Sequence, residues 1–444
     1  MKNLTVLLFF LAGAAPGVAA LDFEFGMYMR APVGTNSQGG KQIQLINPGS
    51  RGNEFRLGNE AGYGEARFTG HVLKGGSPDD PFFFANMTMA YDAQMNSQYG
   101  DTYGTSGNVQ LIQSYAKGGN FDGIHASFWA GKRHYRDADI YIHDFYYFAD
   151  MGGIGGGVED VRLPHGTLAV ALLQSADSTF QNTTLGYPAK QVLDLRWFNV
   201  KLTAQDALHF WAATGYAAPG SGEKLNAGSG TYDPVEFEAA TGAIAGLRWG
   251  HALENGQNDV ALMYGTGVLE DFSMNRTVGF TTPPRDVNGR RRWRFVETIY
   301  KELGPQWGLQ AALVYERGNS GLDEQSRWLS VGARPIYFIT DHYHISFEGG
   351  FSSVKDESET TGSGADAGER TLGRLTIAPG MSVGRPYFAR PLVRAYVTHS
   401  WWNSANSDLN NTSSLLGNLN ARKMTALNGE SSETQIGVQC EVWF

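Results

Sequence analysis

The chain ends with QIGVQCEVWF, residues 435–444, and this stretch decides the fold class. Apolar and polar side chains alternate along it, which is the period-two pattern of a β-strand whose two faces meet different solvents. Ile436, Val438 and Phe444 lie on the apolar face. The other face carries Gln and Glu side chains and also Trp443, a large aromatic residue on the side that should meet water. The position of this indole needs an explanation.

The same alternation recurs in other parts of the chain. In each case charged or polar side chains occupy one face and apolar or small side chains the other, and no long helical periodicity separates the segments. Many short segments of this kind indicate an all-β fold of antiparallel strands. The clearest of them are residues 22–30, 63–72, 193–198 and 393–400.

Two architectures accommodate such strands. A soluble sandwich buries the apolar face, whereas a transmembrane barrel turns it toward lipid and keeps the polar face in the lumen. The barrel is favoured because short turns alternate with long Gly/Ser/Asn-rich stretches and because the chain ends in Phe on the apolar face. The first and last strands should pair, since a bilayer tolerates no open sheet edge. The length allows about sixteen to eighteen strands of ~9–11 residues.

The N-terminal segment is typical of a secretory signal peptide. A charged start at Lys2 precedes an apolar run over residues 4–15 and small residues at 18–20. We expect residues 1–20 to be removed, leaving 21–444 as one barrel domain. No later stretch reaches the ~18 uninterrupted apolar residues of a membrane helix. The single cysteine, Cys440, cannot form an internal disulfide and is expected to act as a small hydrophobic residue.

Composition argues against several other functions. A net charge of −9 without a basic stripe disfavours nucleic-acid binding, and the dispersed histidines predict no metal site or cofactor. An enzyme could use His134 or the His143-Asp144 pair. However, adjacent residues of a strand point to opposite faces, and neither GxSxG nor HExxH is present. We therefore expect no enzymatic activity.

Five blocks of sequence follow one another along the chain: FRLGNEAGYGE (55–65), WAGKRHYRDADIYIHDFYYF (129–148), WLSVGARPIY (328–337), RPLVRAYVTHSWW (390–402) and the terminal stretch. Together they resemble the maltoporin, or sugar-porin, family of Gram-negative outer membranes. The resemblance implies an eighteen-stranded barrel, a homotrimer, an outer-membrane location surrounded by lipid, and facilitated diffusion of maltose, maltodextrins or related oligosaccharides. A general porin, or a channel for another solute, is the alternative, and it would lack an aromatic path.

The resemblance also assigns candidate residues. An aromatic slide for sugar rings would contain Tyr28, Tyr63, Phe388 and Trp443, with Tyr99 or Tyr103 reaching a neighbouring subunit. A polar track for sugar hydroxyls would contain Arg30, Arg56, Glu65 and Asp144. Tyr146 would narrow the channel within an inward-folded constriction loop around residues 132–148. The alternatives are aromatic packing or girdle residues, and charge pairs that only stabilise the wall.

The chain departs from the family pattern at several places, which include the missing cysteine pair of the first external loop and a track arginine that is absent near Thr105. Val260 occupies a position where the family supplies a slide aromatic, so the slide is either interrupted there or completed by Tyr264. In the constriction loop, Asp137 stands where an arginine is expected, with Arg136 one residue earlier. These differences leave the identity of the sugar open.

Overall fold

A computed structural model describes residues 22–93, 107–175, 184–185, 189–225, 231–274, 287–319, 325–357, 359, 365–406 and 430–444. The signal peptide predicted for residues 1–20, and the candidates Tyr99 and Tyr103, lie outside these residues. Within the described part of the chain, no helix is long and apolar enough to cross a membrane.

The secondary structure is almost entirely β. Within the described ranges, three short 3₁₀ segments occupy Phe121–Gly123, Tyr141–His143 and Ser404–Asn406. The strands are β1 (Asp22–Asn36), β2 (Gly62–Leu73), β3 (Phe82–Ala93), β4 (Gly107–Gly119), β5 (Ser127–Arg133), β6 (Asp137–Ile140), β7 (Phe145–Phe148), β8 (Gly153–Arg162), β9 (Thr167–Gln174), β10 (Thr184–Leu185), β11 (Lys190–Lys201), β12 (Asp206–Ala217), β13 (Gly220–Leu225), β14 (Tyr232–Phe237), β15 (Ala240–Leu253), β16 (Gly256–Gly267), β17 (Arg291–Leu303), β18 (Trp307–Asn319), β19 (Gln325–Phe338), β20 (Tyr343–Asp356), β21 (Arg370–Ser382), β22 (Leu392–Trp402) and β23 (Ser432–Trp443).

Eighteen of these strands, within the residues described, form one closed antiparallel barrel in which sequence neighbours pair. β1 pairs with β2 on one side and with β23 on the other, so that Tyr28 lies opposite Trp443. The predicted all-β barrel, its eighteen strands and its closure by the two ends of the chain are confirmed. The remaining strands form a β6–β7 hairpin and a small β10–β13–β14 sheet in the long connections.

The two faces of the closing strand meet different surroundings, as its alternation predicts. Ile436 and Phe444 are 56% and 68% exposed on the outer wall, whereas Gln439 and Glu441 are 1% and 0% exposed on the inner one. The outer face is therefore apolar and open, while polar side chains on the inner face are covered by other parts of the chain. Segments folded into the lumen provide this cover.

Two connections fill much of the lumen. One is residues 134–152, which overlaps the predicted constriction loop. The other is residues 37–61, a polar connection between β1 and β2 that includes the track candidate Arg56. The second segment folds inward because wall side chains satisfy its backbone: Arg374 of β21 donates to the carbonyls of Leu45, Glu54 and Phe55. An unpaired backbone in the barrel interior would be costly.

Phe55 anchors this segment against the wall. Its ring is fully buried and lies over Gly332 and Gly350, two neighbouring wall residues at which an added Cβ would overlap the ring. The backbone of Phe55 adopts a positive φ of 53°. Small wall residues are thus needed where the segment 37–61 docks.

We expect Gly350→Ala to loosen segment 37–61 without opening the barrel. The new methyl would displace the Phe55 ring, and overpacking of this kind typically costs at least about 1 kcal/mol. Trypsin should then cleave after Arg51 faster than in the native protein. Gly349→Ala is the matched control, because a Cβ there meets only the end of the Leu375 side chain, at 3.0 Å. Equal cleavage of both variants and the native protein would contradict the docking.

Candidate functional site

Three predicted slide residues form a continuous row of rings on the inner wall. Tyr63 of β2 and Tyr28 of β1 have ring centroids 6.0 Å apart, and Tyr28 stacks on Trp443 of β23 at 6.2 Å with an interplanar angle of 27°. Adjacent strands carry the three side chains at neighbouring register positions. The structure therefore brings Tyr28, Tyr63 and Trp443 together on the lumen side, which explains the position of the terminal indole.

Phe388 joins the row by a different route from the one predicted. Sequence parity placed it on a strand with Arg390, but it lies in the turn between β21 and β22. Its ring centroid lies 5.5 Å from that of Tyr141 and 5.1 Å from that of Tyr300 on β17. Phe388 and Tyr300 thus extend the aromatic row toward the barrel end that carries the short turns.

Val260 and Tyr264 do not belong to this row. On β16 the inward residues are Asp259, Ala261 and Met263, so Val260 and Tyr264 face outward, and Tyr264 is 45% exposed on the outer wall. Neither alternative raised by the sequence analysis therefore applies, because a residue on the outer face cannot line the lumen.

Tyr141, which the sequence analysis did not select, is the loop residue that contacts the row. Its ring meets Trp443 at 6.2 Å and Phe388 at 5.5 Å, both edge to face. Its hydroxyl donates to Glu441 and accepts from Arg390. The contact joins residues 300 positions apart, so local sequence gave no sign of it.

Glu441 lies at the centre of an ion-pair network that was also missed. Its carboxylate is 3.0 Å from an Arg56 nitrogen and 2.9 Å from an Arg390 nitrogen, with an Arg394 nitrogen at 3.8 Å. The Tyr28 hydroxyl donates to it at 3.1 Å. The alternation of residues 435–444 places Glu441 on the same inward face as Trp443. That pattern was the sequence signal by which Glu441 could have been selected.

The predicted polar track lies beside these rings. Arg30 donates to Asp144 at 2.6 Å, and its guanidinium lies 5.2 Å from the centre of the Tyr63 ring. The Tyr63 hydroxyl donates to Glu65 at 2.5 Å. Arg56 comes from the inward segment 37–61 and is almost fully buried. Charged donors and acceptors therefore border one side of the aromatic row.

Electrostatics keep Asp144 charged. Burial opposes its ionisation, but the guanidinium groups of Arg56 and Arg30 outweigh burial and hold the pKa of Asp144 below its usual range. The pKa of Arg56 is raised well above normal, because Glu60 and Glu441 more than offset its burial. An ionised, partly exposed acceptor beside the rings can bind sugar hydroxyls.

The remaining loop candidates sit in the same hairpin. Tyr146 on β7 is half-buried, with the Arg136 guanidinium 3.7 Å from its ring centre. Its role as the narrowing residue stays a prediction. Asp137 binds Arg248 of the wall at 2.7 Å and therefore anchors the loop. Because Asp137 stands where the family has an arginine, the loop forms an ion pair with the barrel wall.

His143 is buried between the two inward segments. Its Nε2 lies 3.2 Å from the Ser330 hydroxyl, its ring packs on Phe55, and its carbonyl accepts from Asn53. Its accessible fraction is 0%, and neighbouring Asp144 points instead toward Arg30. Burial, followed by the charge of Arg334, lowers the pKa of His143 to about 3. The pair therefore does not form an accessible catalytic site.

We expect acidification to weaken loop docking through His143. Docked, this residue stays neutral down to its pKa of about 3, whereas a released loop regains an ordinary pKa near 6.5 and takes up a proton below it. The stability that neutral His143 contributes to docking of the loop is fully present above pH 6.5. This contribution decreases as the pH falls toward 3. From pH 7 to 5.5 the loss is about 1 kcal/mol. Hydrogen exchange of residues 134–152 measures it.

His143→Gln is the control for this titration, since glutamine has no charge to gain. Burial raises the pKa of Asp139 and of Asp150, so these residues act in the opposite direction, but they do so in both proteins. The difference between the native and variant pH slopes isolates His143. Identical slopes would contradict its assigned role.

Comparison with known proteins identifies the family. The model of the LamB porin family matches residues 23–444, nearly the whole chain. The chain belongs to the LamB porin family. It is therefore a porin, located in the outer membrane of a Gram-negative cell. In such barrels the short turns face the periplasm and the long loops face the exterior. The aromatic row of this porin therefore leads from the segments folded into the lumen toward the periplasmic end of the barrel.

Several solved structures are similar to this porin along most of its length. OccAB4 of Acinetobacter baumannii is 9% identical, with a TM-score of 0.46, over 97% of this chain and 100% of that one. The anion-selective porin of Comamonas acidovorans is 8% identical, with a TM-score of 0.45, over 96% and 99% of the chains. OccD3 of Pseudomonas aeruginosa is 10% identical, with a TM-score of 0.44, over 97% and 93%.

Proposed function

We propose that this porin conducts oligosaccharides, with maltose and maltodextrins as the best candidates, by facilitated diffusion and without enzymatic activity of its own. The aromatic row from Tyr63 through Trp443 to Phe388 and Tyr300 carries this proposal. A pyranose ring has an apolar C–H face and a rim of hydroxyls, so it suits aromatic rings on one side and charged groups on the other.

The polar groups support passage rather than tight capture. Asp144 is partly exposed while bound to Arg30, and Glu65 is bound to the Tyr63 hydroxyl. Sugar hydroxyls can exchange with these contacts one at a time. A conducting site must bind strongly enough to load and weakly enough to release. We expect dissociation constants in the micromolar to millimolar range, or ~4–8 kcal/mol of binding free energy.

We also propose a homotrimer, on the basis of the sugar-porin family resemblance. A neighbouring subunit would then contribute Tyr99 or Tyr103 to the aromatic slide.

The alternative is a general porin or a channel for another solute. Liposome swelling with maltotriose and raffinose separates the two, because these trisaccharides have the same mass but different linkages. A sugar-specific path should admit maltotriose several times faster. Equal rates at equal concentration would favour the general porin and contradict the proposal.

A further inference from the structure

The outer wall carries a row of cations near the long-loop end. Arg317 of β18 lies directly opposite Arg327 of β19, and Arg327 lies opposite Lys355 of β20. All three positions face outward, because the residues next to them, Glu316, Trp328 and Val354, are buried on the inner face. Like charges directly opposite each other on neighbouring strands destabilise a sheet. An anion bound between these cations would relieve that repulsion.

The cations stand at the level where the membrane interface should lie. Trp293 of β17 is in the same register row, opposite Arg317, and its ring centroid lies 5.0 Å from that of Tyr315. Aromatic girdles of this kind mark the boundary between hydrocarbon and headgroups. Below them the outward side chains include the apolar Val331 and Phe351, which are 45% and 40% exposed. The row therefore faces lipid headgroups.

Four strands on another part of the barrel lack this charge near their long-loop ends. The outward residues near the long-loop ends of β11, β12, β15 and β16 are neutral: Gln191, Tyr216, Thr241 and Thr266. The basic character of the β18–β20 wall is therefore not shared by the rim at β11, β12, β15 and β16.

The cations are only weakly neutralised by the protein. Arg327 pairs with Glu369 at 2.8 Å, with side chains 52% and 44% exposed, and Lys355, which is 20% exposed, pairs with Asp366, which is 63% exposed. Exposed pairs contribute ~0–1 kcal/mol and can exchange with a stronger anion. The Arg317 guanidinium donates to the neutral side-chain oxygen Oε1 of Gln325 at 2.6 Å. Within the described residues it has no carboxylate partner.

We propose that Arg317, Arg327 and Lys355 bind the phosphate groups of a phosphorylated glycolipid in the outer leaflet, whose acyl chains lie on the apolar wall below. Arginine forms bidentate hydrogen bonds with phosphate. Trp293 and Tyr315 border the site on the β17 side. The lipid binds outside the barrel, so the site is independent of sugar passage through the lumen.

Native mass spectrometry of the purified full chain in detergent tests this site with lipid A as the probe. Each cation near a charged membrane surface contributes about fivefold in affinity. Arg317→Gln combined with Arg327→Gln should therefore weaken lipid A binding about 25-fold. Glu369→Gln, which frees Arg327, should strengthen it. Lys301→Gln, on the outer face of β17 at its periplasmic end, is the matched control and should leave binding unchanged.

Two further probes distinguish the ligand. Dephosphorylated lipid A should bind much more weakly, and inorganic phosphate at the lipid A concentration should not displace lipid A. The proposal is overturned if the double variant binds lipid A as tightly as the Lys301→Gln control. It is also overturned if removal of the phosphates changes nothing, or if free phosphate competes on equal terms.

Discussion

Glu441→Gln is expected to release the constriction loop and to widen the channel. The Glu441 carboxylate is fully buried and pairs with Arg56 and Arg390 while accepting from Tyr141. Removal of one member of such a buried network leaves its partners uncompensated, at a cost of about 3–5 kcal/mol. Tyr141 should then leave the aromatic row. We expect larger and noisier single-channel conductance, and lower thermal stability.

The control for this variant lies on the same strand. Glu433 is equally buried but accepts from the backbone and hydroxyl of Ser37 instead of binding arginines. Glu433→Gln removes the same charge and should leave the conductance close to native. If both variants change conductance to the same extent, the loop is not held by the Glu441 network.

Trp443→Ala is expected to weaken blockade of ion current by maltotriose about thirtyfold, or ~2 kcal/mol. The indole stacks on Tyr28 and faces the lumen, so its removal interrupts the aromatic row in the middle. The variant loses the contact between the indole and the sugar ring, and it also loses the apolar area that this contact buries. The half-saturating maltotriose concentration in planar bilayers measures it.

Val438→Ala on the opposite face of β23 is the control. Val438 is 50% exposed on the outer wall, so a smaller side chain there should not alter the sugar site. Unchanged blockade in Trp443→Ala would remove the indole from the sugar path. Equal loss in both variants would indicate a general effect of β23 on the barrel.

The sequence predicts the wall better than the lumen. Strand alternation has only two phases, so the inward positions of Tyr28, Tyr63 and Trp443 follow from local pattern once a barrel is assumed. The same rule fails at Phe388, which lies in a turn. Val260 was linked to the slide by the family resemblance and not by alternation, and its outward position on β16 rules that assignment out.

The contents of the lumen depend on contacts between distant parts of the chain. Tyr141 reaches Glu441, and Arg374 binds the backbone at Glu54, across separations of 300 and 320 residues. A polar, glycine-rich connection has the same composition whether it projects outward or packs inside. The docking of residues 37–61 therefore emerged only from the structure, although the segment contains the RLGNE block and the track candidate Arg56.

Single-channel recording of the native protein with increasing maltotriose tests the central claim most directly. If sugar rings pass along the Tyr63–Trp443–Phe388 row, the small ion conductance should fall in a saturable manner, with half-blockade between micromolar and millimolar sugar. Sucrose and cellobiose, tested alongside, report how the row discriminates among disaccharides. A large conductance that no concentration of maltotriose reduces would contradict the account.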